Sequence, residues 1–131
     1  MKTKETLNLE FLRQRSMLGR YWYVASPYSK YPLGTRRAYQ DVCEAAAWLL
    51  KQGVHVFCPI AHSHPISTYG GIDPESHDIW LPADKPFMDA AVGLIICEME
   101  SWEDSYGVGF EIDEFYKAAK PVIFMAWPRK E

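Results

Sequence analysis

Apolar positions recur along this chain in two different rhythms. Unbroken runs of strand-forming residues occupy 21–25 (Tyr21-Trp22-Tyr23-Val24-Ala25), 54–58 (Val54-His55-Val56-Phe57-Cys58), 94–99 (from Leu94-Ile95-Ile96-Cys97) and 121–125 (Pro121-Val122-Ile123-Phe124-Met125). Each is bounded by polar residues, glycine or proline, the mark of a short buried strand. Between the first two runs the rhythm changes. Tyr39, Val42, Cys43, Ala46, Leu49 and Leu50 recur at three- and four-residue steps, which predicts a helix over 35–52 that stops at Gly53. A second helix is predicted from Asp84 to about Ala91, with Asp84 as its cap and Pro86 in its first turn. A third is predicted over 111–119. Residues 60–78 hold His62, His64, Pro65, Gly70, Gly71, Pro74 and His77, and read as a long loop of the kind that forms a lid or binding loop. Strand and helix alternate, so the sheet is expected to be largely parallel, with helices on both faces.

The first twenty residues are charged and carry no signal-peptide core, and Leu7, Phe11 and Leu12 fit one side of a short helix. They are read as an N-terminal extension, with the domain over 21–131. The chain of 131 residues suits one domain, and 48% apolar content argues for a packed core. A net charge of -3 gives no reason to expect a nucleic acid polymer as partner, although a local cradle can still bind a mononucleotide. No apolar run approaches the roughly 20 residues of a membrane span. Cys43, Cys58 and Cys97 form no CxxC pair and sit at apolar positions, which fits a reduced, intracellular and cytoplasmic protein.

The most informative stretch is Ser105-Tyr106-Gly107-Val108-Gly109-Phe110-Glu111, between the third strand and the third helix. A helix start exposes backbone N–H groups that can hold an anion. Gly107 and Gly109 are expected to turn the backbone tightly, and Glu111 to fall in the first helical turn beside the cradle. The structural alternative is that any strand-turn-helix unit needs glycine, and that Glu there serves the helix dipole or pairs with Lys117.

That stretch resembles the S-x-G-x-G-x-E turn of the nucleotide N-glycosidase branch of the nucleoside 2-deoxyribosyltransferase superfamily, and within it a set of small members. Ala25-Ser26-Pro27-Tyr28 after the first strand and Lys120-Pro121-Val122-Ile123 near the end support the resemblance, which spans about 21–125. It implies a Rossmann-like, flavodoxin-like α/β three-layer sandwich, with a mainly parallel sheet of four to five strands. It also implies cleavage or transfer at the N-glycosidic bond of a (deoxy)nucleoside or its 5′-monophosphate, with no cofactor, in a homo-oligomer. Carried over by position, Glu111 is the nucleophile, and the acid that helps the base leave is Asp84, favoured because its spacing to the third strand is nearer the family's, or else Asp89. Ser105 matches a phosphate-contacting serine, and Ser26, Ser29 and the N–H groups of Gly107 to Gly109 complete a phosphate site. Tyr28 borders sugar and base, or is a loop aromatic. The acidic loop around Trp102 is longer than in the glycosidases and brings Trp102 over the base or closes the pocket from another subunit. His64 lines the base pocket or bonds within its loop.

Two rival readings remain. His62 and His64, with His77 and Asp73 or Asp78, offer donors for a metal such as zinc. A nucleotide-binding sensor would keep the cradle and do no chemistry. Arg36 and Arg37 are candidates for a phosphate or for solvated surface, and Trp48, Tyr39 and Phe115 for core or subunit contacts.

Overall fold

Along each central strand, successive side chains leave the sheet on opposite faces, and both faces are covered. Trp22, Val24, Ile95, Cys97, Ile123 and Met125 enter one core; Tyr23, Ala25, Leu94, Ile96 and Val122 enter the other. This double burial is why the sequence shows unbroken apolar runs and no alternation. The computed structural model describes residues 5–129. Five strands, β1 (Glu5–Thr6), β2 (Trp22–Ala25), β3 (Val56–Phe57), β4 (Gly93–Glu98) and β5 (Val122–Ala126), form one sheet in the order β1-β5-β4-β2-β3, all parallel. Helices α1 (Leu9–Met17), α2 (Thr35–Lys51) and α3 (Pro59–Gly70) pack on the first face; α4 (His77–Ala90) and α5 (Tyr106–Lys117) pack on the second. The result is the expected three-layer, Rossmann-like α/β sandwich.

The helix predicted over 35–52 is α2, whose Ala38, Val42, Ala45 and Leu49 are buried. The loop expected over 60–78 is instead largely helical. Pro59 opens α3 at a position that needs no N–H, and Gly71 closes it in the left-handed region at φ 70°. Proline, histidine and serine interrupt its apolar pattern, so periodicity did not reveal it. Asp84 is not a cap either. α4 begins at His77, and Pro82 and Pro86 both lie inside it. The prolines looked like a helix start, whereas Leu81, Asp84 and Met88 share one helical face turned to the sheet edge.

The expected extension is docked on the domain. β1 pairs with β5, Leu12 is fully buried, and its carbonyl accepts from Trp22 Nε1 at 3.2 Å. The Ser16 hydroxyl donates to the Leu12 carbonyl and accepts from the His55 N–H at 2.9 Å. Cys43, Cys58 and Cys97 are all free thiols. Among the described residues, no helix is long and apolar enough to cross a membrane.

Candidate active site

The order β5-β4-β2-β3 reverses between β2 and β4: the chain leaves β2 for β3 on one side, then returns to add β4 on the other. The connections diverge there, and a crevice opens beyond the carboxyl ends of the strands. A cavity of ≈ 220 Å³ lies at that place. Tyr23 and Ser26 reach it from β2 and its end, Pro59 and Ile60 from α3, Leu81 and Asp84 from α4, and Ser105, Phe110 and Glu111 from α5 and its cap.

One wall is the start of α5. Ser105 is the N-cap, in extended conformation, and its Oγ accepts from the Val108 N–H at 3.3 Å. The helix therefore begins at Tyr106, earlier than expected, and Glu111 sits in its second turn. Gly107 and Gly109 take no left-handed conformation; the tight glycine turn expected there is the first turn of the helix itself. A Cβ on Gly107 would have only the Ser105 Oγ near it, at 3.9 Å, so glycine keeps this wall open. The N–H groups of Tyr106 and Gly107 stand in the first helical turn, where no intrahelical acceptor reaches them. The Ser105 hydroxyl hydrogen remains available to a ligand beside them.

The chemistry lies in two carboxyls. Glu111 opens on the cavity but is otherwise enclosed, and burial pushes its pKa up to about 8, with the Asp84 charge adding to the rise. The Tyr23 hydroxyl offsets part of that rise while standing short of a regular hydrogen bond to the carboxyl. Burial also lifts Asp84 to about 6, partly offset by His62. Among the described residues no lysine or arginine lines the cavity, so neither acid has a permanent cation there to hold it ionised. Two buried hydroxyls, Tyr23 Oη and Ser26 Oγ, have no hydrogen-bond partner within the described chain. Unpaired buried groups of this kind are costly, and both belong to residues of the cavity wall. Burial, and then the Glu111 charge, raises the Tyr23 phenol above its ordinary pKa, so it stays a donor.

Of the residues singled out in the sequence, Glu111, Asp84, Ser26, Tyr28, Ser29, Ser105 and Gly107 line this one cavity. Others lie elsewhere. Asp89 is five residues beyond Asp84, on the outer side of α4, in an exposed ion pair with Lys85. Gly109 faces open space, with nothing within 4 Å of a Cβ built on it. Trp102, in a single 3-10 turn at Trp102–Asp104, packs on Phe124 with ring centroids 5.6 Å apart. His64 stands behind Tyr28, whose hydroxyl lies 2.6 Å from its Nδ1. Arg37 pairs with Asp41 at 2.9 Å, Lys117 with Glu114 at 3.7 Å, and Phe115 is core. His62 and His64 are two residues apart on α3 and diverge, His62 towards Phe57 and Phe87 and His64 towards Tyr28 and Tyr39. Among the described residues no three His, Cys, Asp or Glu side chains come together as a metal site.

Sequence reasoning missed Tyr23, Trp80 and Tyr106, and took His77 only as a candidate metal ligand, whereas it lines the cavity. Tyr23 reads as core inside an apolar run, and only its register places its hydroxyl at the sheet edge. His77 and Tyr106 stack at 4.8 Å across the starts of α4 and α5, a pairing between segments far apart in sequence. Trp80 donates from Nε1 to the Asp73 carbonyl and ties the 73–76 segment to α4.

Residues 20–127 match the family described as Domain of unknown function (DUF1937). The match begins just before β2 and takes in every cavity residue, leaving out β1 and α1. No curated protein matches the chain.

Proposed function

The chain belongs to the DUF1937 family, and for it we propose cleavage of the N-glycosidic bond of a (deoxy)nucleoside 5′-monophosphate, with release of the base. One observation carries this reading: Glu111 and Asp84 face one cavity with raised pKa values and, among the described residues, no lysine or arginine, next to a helix start flanked by serines. Carboxyls pushed above their ordinary range by burial, and Glu111 by the Asp84 charge as well, are suited to proton transfer and covalent catalysis.

In the proposed reaction the Glu111 carboxylate attacks the anomeric carbon as the carbon–nitrogen bond breaks. The bonding pair goes to the base nitrogen, which takes the proton of Asp84. Water, or a second base, then attacks the same carbon, Asp84 takes back a proton, and Glu111 is released. This double displacement splits one hard step into two, as in retaining glycosidases. The pair shares one proton over about pH 6–8. By these values Glu111 holds that proton in the free protein; in the proposed complex, sugar hydroxyls donating to Glu111 favour its ionised form and pass the proton to Asp84, against the base.

The phosphate is assigned to Ser105, Ser26, Ser29 and the N–H groups of Tyr106 and Gly107. An uncharged cradle of hydroxyls and a helix start suits an anion that must lie near two acids. The ring of Tyr28 borders the sugar. The same reading takes the protein to be cytoplasmic and homo-oligomeric, acting on a small molecule without a cofactor.

The test incubates the protein with each deoxynucleoside and ribonucleoside 5′-monophosphate and the parent nucleosides, and follows free base by liquid chromatography. Base release by the native chain and none by Glu111→Ala is the expected result. Monophosphate binding to both proteins without base release overturns catalysis and gives the sensor reading the lead.

A further inference from the structure

We propose that His64 is a positioning residue for the cavity: it holds the Tyr28 hydroxyl from behind, so that Tyr28 meets a ligand with its ring and not with its hydroxyl. The ligand class rests on the reading above; the strut itself does not.

Tyr28 lies between β2 and α2, on a segment without regular structure, and the Ser29 and Lys30 that follow it are exposed. One backbone bond closes the turn, from the Tyr31 N–H to the Tyr28 carbonyl at 3.2 Å. That turn alone is a poor mount for a side chain in a binding site, because a site needs its rotamers held by surrounding contacts. His64 supplies the closest hold, with the Thr35 side chain also beside the Tyr28 hydroxyl. The His64 Nδ1 is 2.6 Å from the Tyr28 hydroxyl, with the two rings edge to face at 5.8 Å and 76°. His64 is itself clamped, lying flat on Tyr39 of α2 at 4.5 Å and 19°. It belongs to a groove between α2 and α3 that Arg36, Tyr39 and Thr68 also line, and not to the cavity. The chain of contacts therefore runs from a rigid helix pair, through His64, to a loop aromatic on the cavity wall.

A phenol donates readily, and donation requires an unprotonated Nδ1, so His64 is neutral with its proton on Nε2. Its surroundings agree. Burial and the Arg36 charge on α2 both disfavour the imidazolium. With its hydroxyl occupied, Tyr28 offers the cavity an apolar, polarisable ring, the surface that a sugar face or base edge packs on.

The test has two arms. In the ligand-free protein, nitrogen-15 NMR of histidine reads the His64 tautomer and titration. The expected result is an acceptor-type Nδ1, a protonated Nε2 and a midpoint below the ordinary value, shifting upward in Tyr28→Phe. A His64 signal that is the same in Tyr28→Phe overturns the strut. In the second arm, calorimetry measures binding of the four deoxynucleoside 5′-monophosphates. His64→Ala and Tyr28→Phe are each expected to weaken binding about three- to tenfold, as for one lost hydrogen bond, and together no further. His64→Asn, which keeps an acceptor near the Nδ1 position, restores most of it. Additive losses overturn the positioning role. If the native protein binds neither these four nor the corresponding ribonucleoside 5′-monophosphates, the proposed ligand class fails, and the NMR arm alone decides the strut.

Discussion

Glu111 and Asp84 share one cavity and titrate apart: burial lifts Asp84 to about 6, and burial together with the Asp84 charge lifts Glu111 to about 8. Groups that interact this closely titrate as a pair, so the site holds two protons below about pH 6, one between, and none above about pH 8. The proposed reaction needs one acid and one carboxylate. Base release is therefore expected to follow a bell in kcat/KM with limbs near those two values. Asp84→Asn is expected to remove the alkaline limb, which reports loss of the proton given to the base, and to lower kcat by about 10²–10⁴-fold, the range for a general acid. A flat profile in the native protein would count against the shared proton.

The same two shifts bear on stability. Both carboxyls are raised above their unfolded values, so the folded chain binds more protons than the unfolded one between about pH 4 and 8. Stability present below pH 4 is thus lost as pH rises through 8. In Glu111→Gln the largest contributor cannot ionise. Its Tm at pH 8.5 is expected to exceed that of the native protein by roughly 5 °C or more, with little difference at pH 5. Thermal unfolding across that range checks it.

Ser105 has two separable roles. As N-cap it accepts from the Val108 N–H, and as a cavity residue it offers a hydroxyl to a ligand. Ser105→Ala is expected to cost about 1 kcal/mol of stability and to weaken monophosphate binding together. Ser105→Asp keeps a capping oxygen but places a charge at the cradle. It is expected to hold the Tm while reducing monophosphate binding about tenfold or more relative to the parent nucleoside. Equal loss for both ligands would argue against a phosphate at Ser105.

The glycines divide by environment. A Cβ on Gly93 would come within 2.8 Å of the Pro121 carbonyl oxygen and run into the Trp22 indole, where β4 passes β2 and β5. Gly93→Ala is expected to destabilise by about 1–3 kcal/mol, as overpacking does. Gly109 lies inside α5 with open space around it, so Gly109→Ala is expected to stabilise by about 0.5–1 kcal/mol without touching ligand binding. Chemical denaturation of both variants separates the two cases.

The amino-acid order alone determined the α/β alternation, the parallel sheet and helix α2, because doubly buried strands and an amphipathic helix leave strong local periodicities. It also marked Glu111, Ser105 and the serines after β2, since these flank the ends of readable strands. Helix α3 and the first half of α4 were illegible. Pro59, Pro65, Pro82 and Pro86 punctuate them like loops, although each lies within a helix. The sequence favoured Asp84 over Asp89, and tertiary structure showed which of the two faces the cavity, because five residues along a helix turn a side chain to another face. Tertiary structure also turned Tyr23 from a core tyrosine into a donor beside Glu111, and set His64 behind Tyr28. Each of these depends on which strand ends and helix faces meet at the switch point between β2 and β4, a relation between segments that local sequence does not encode.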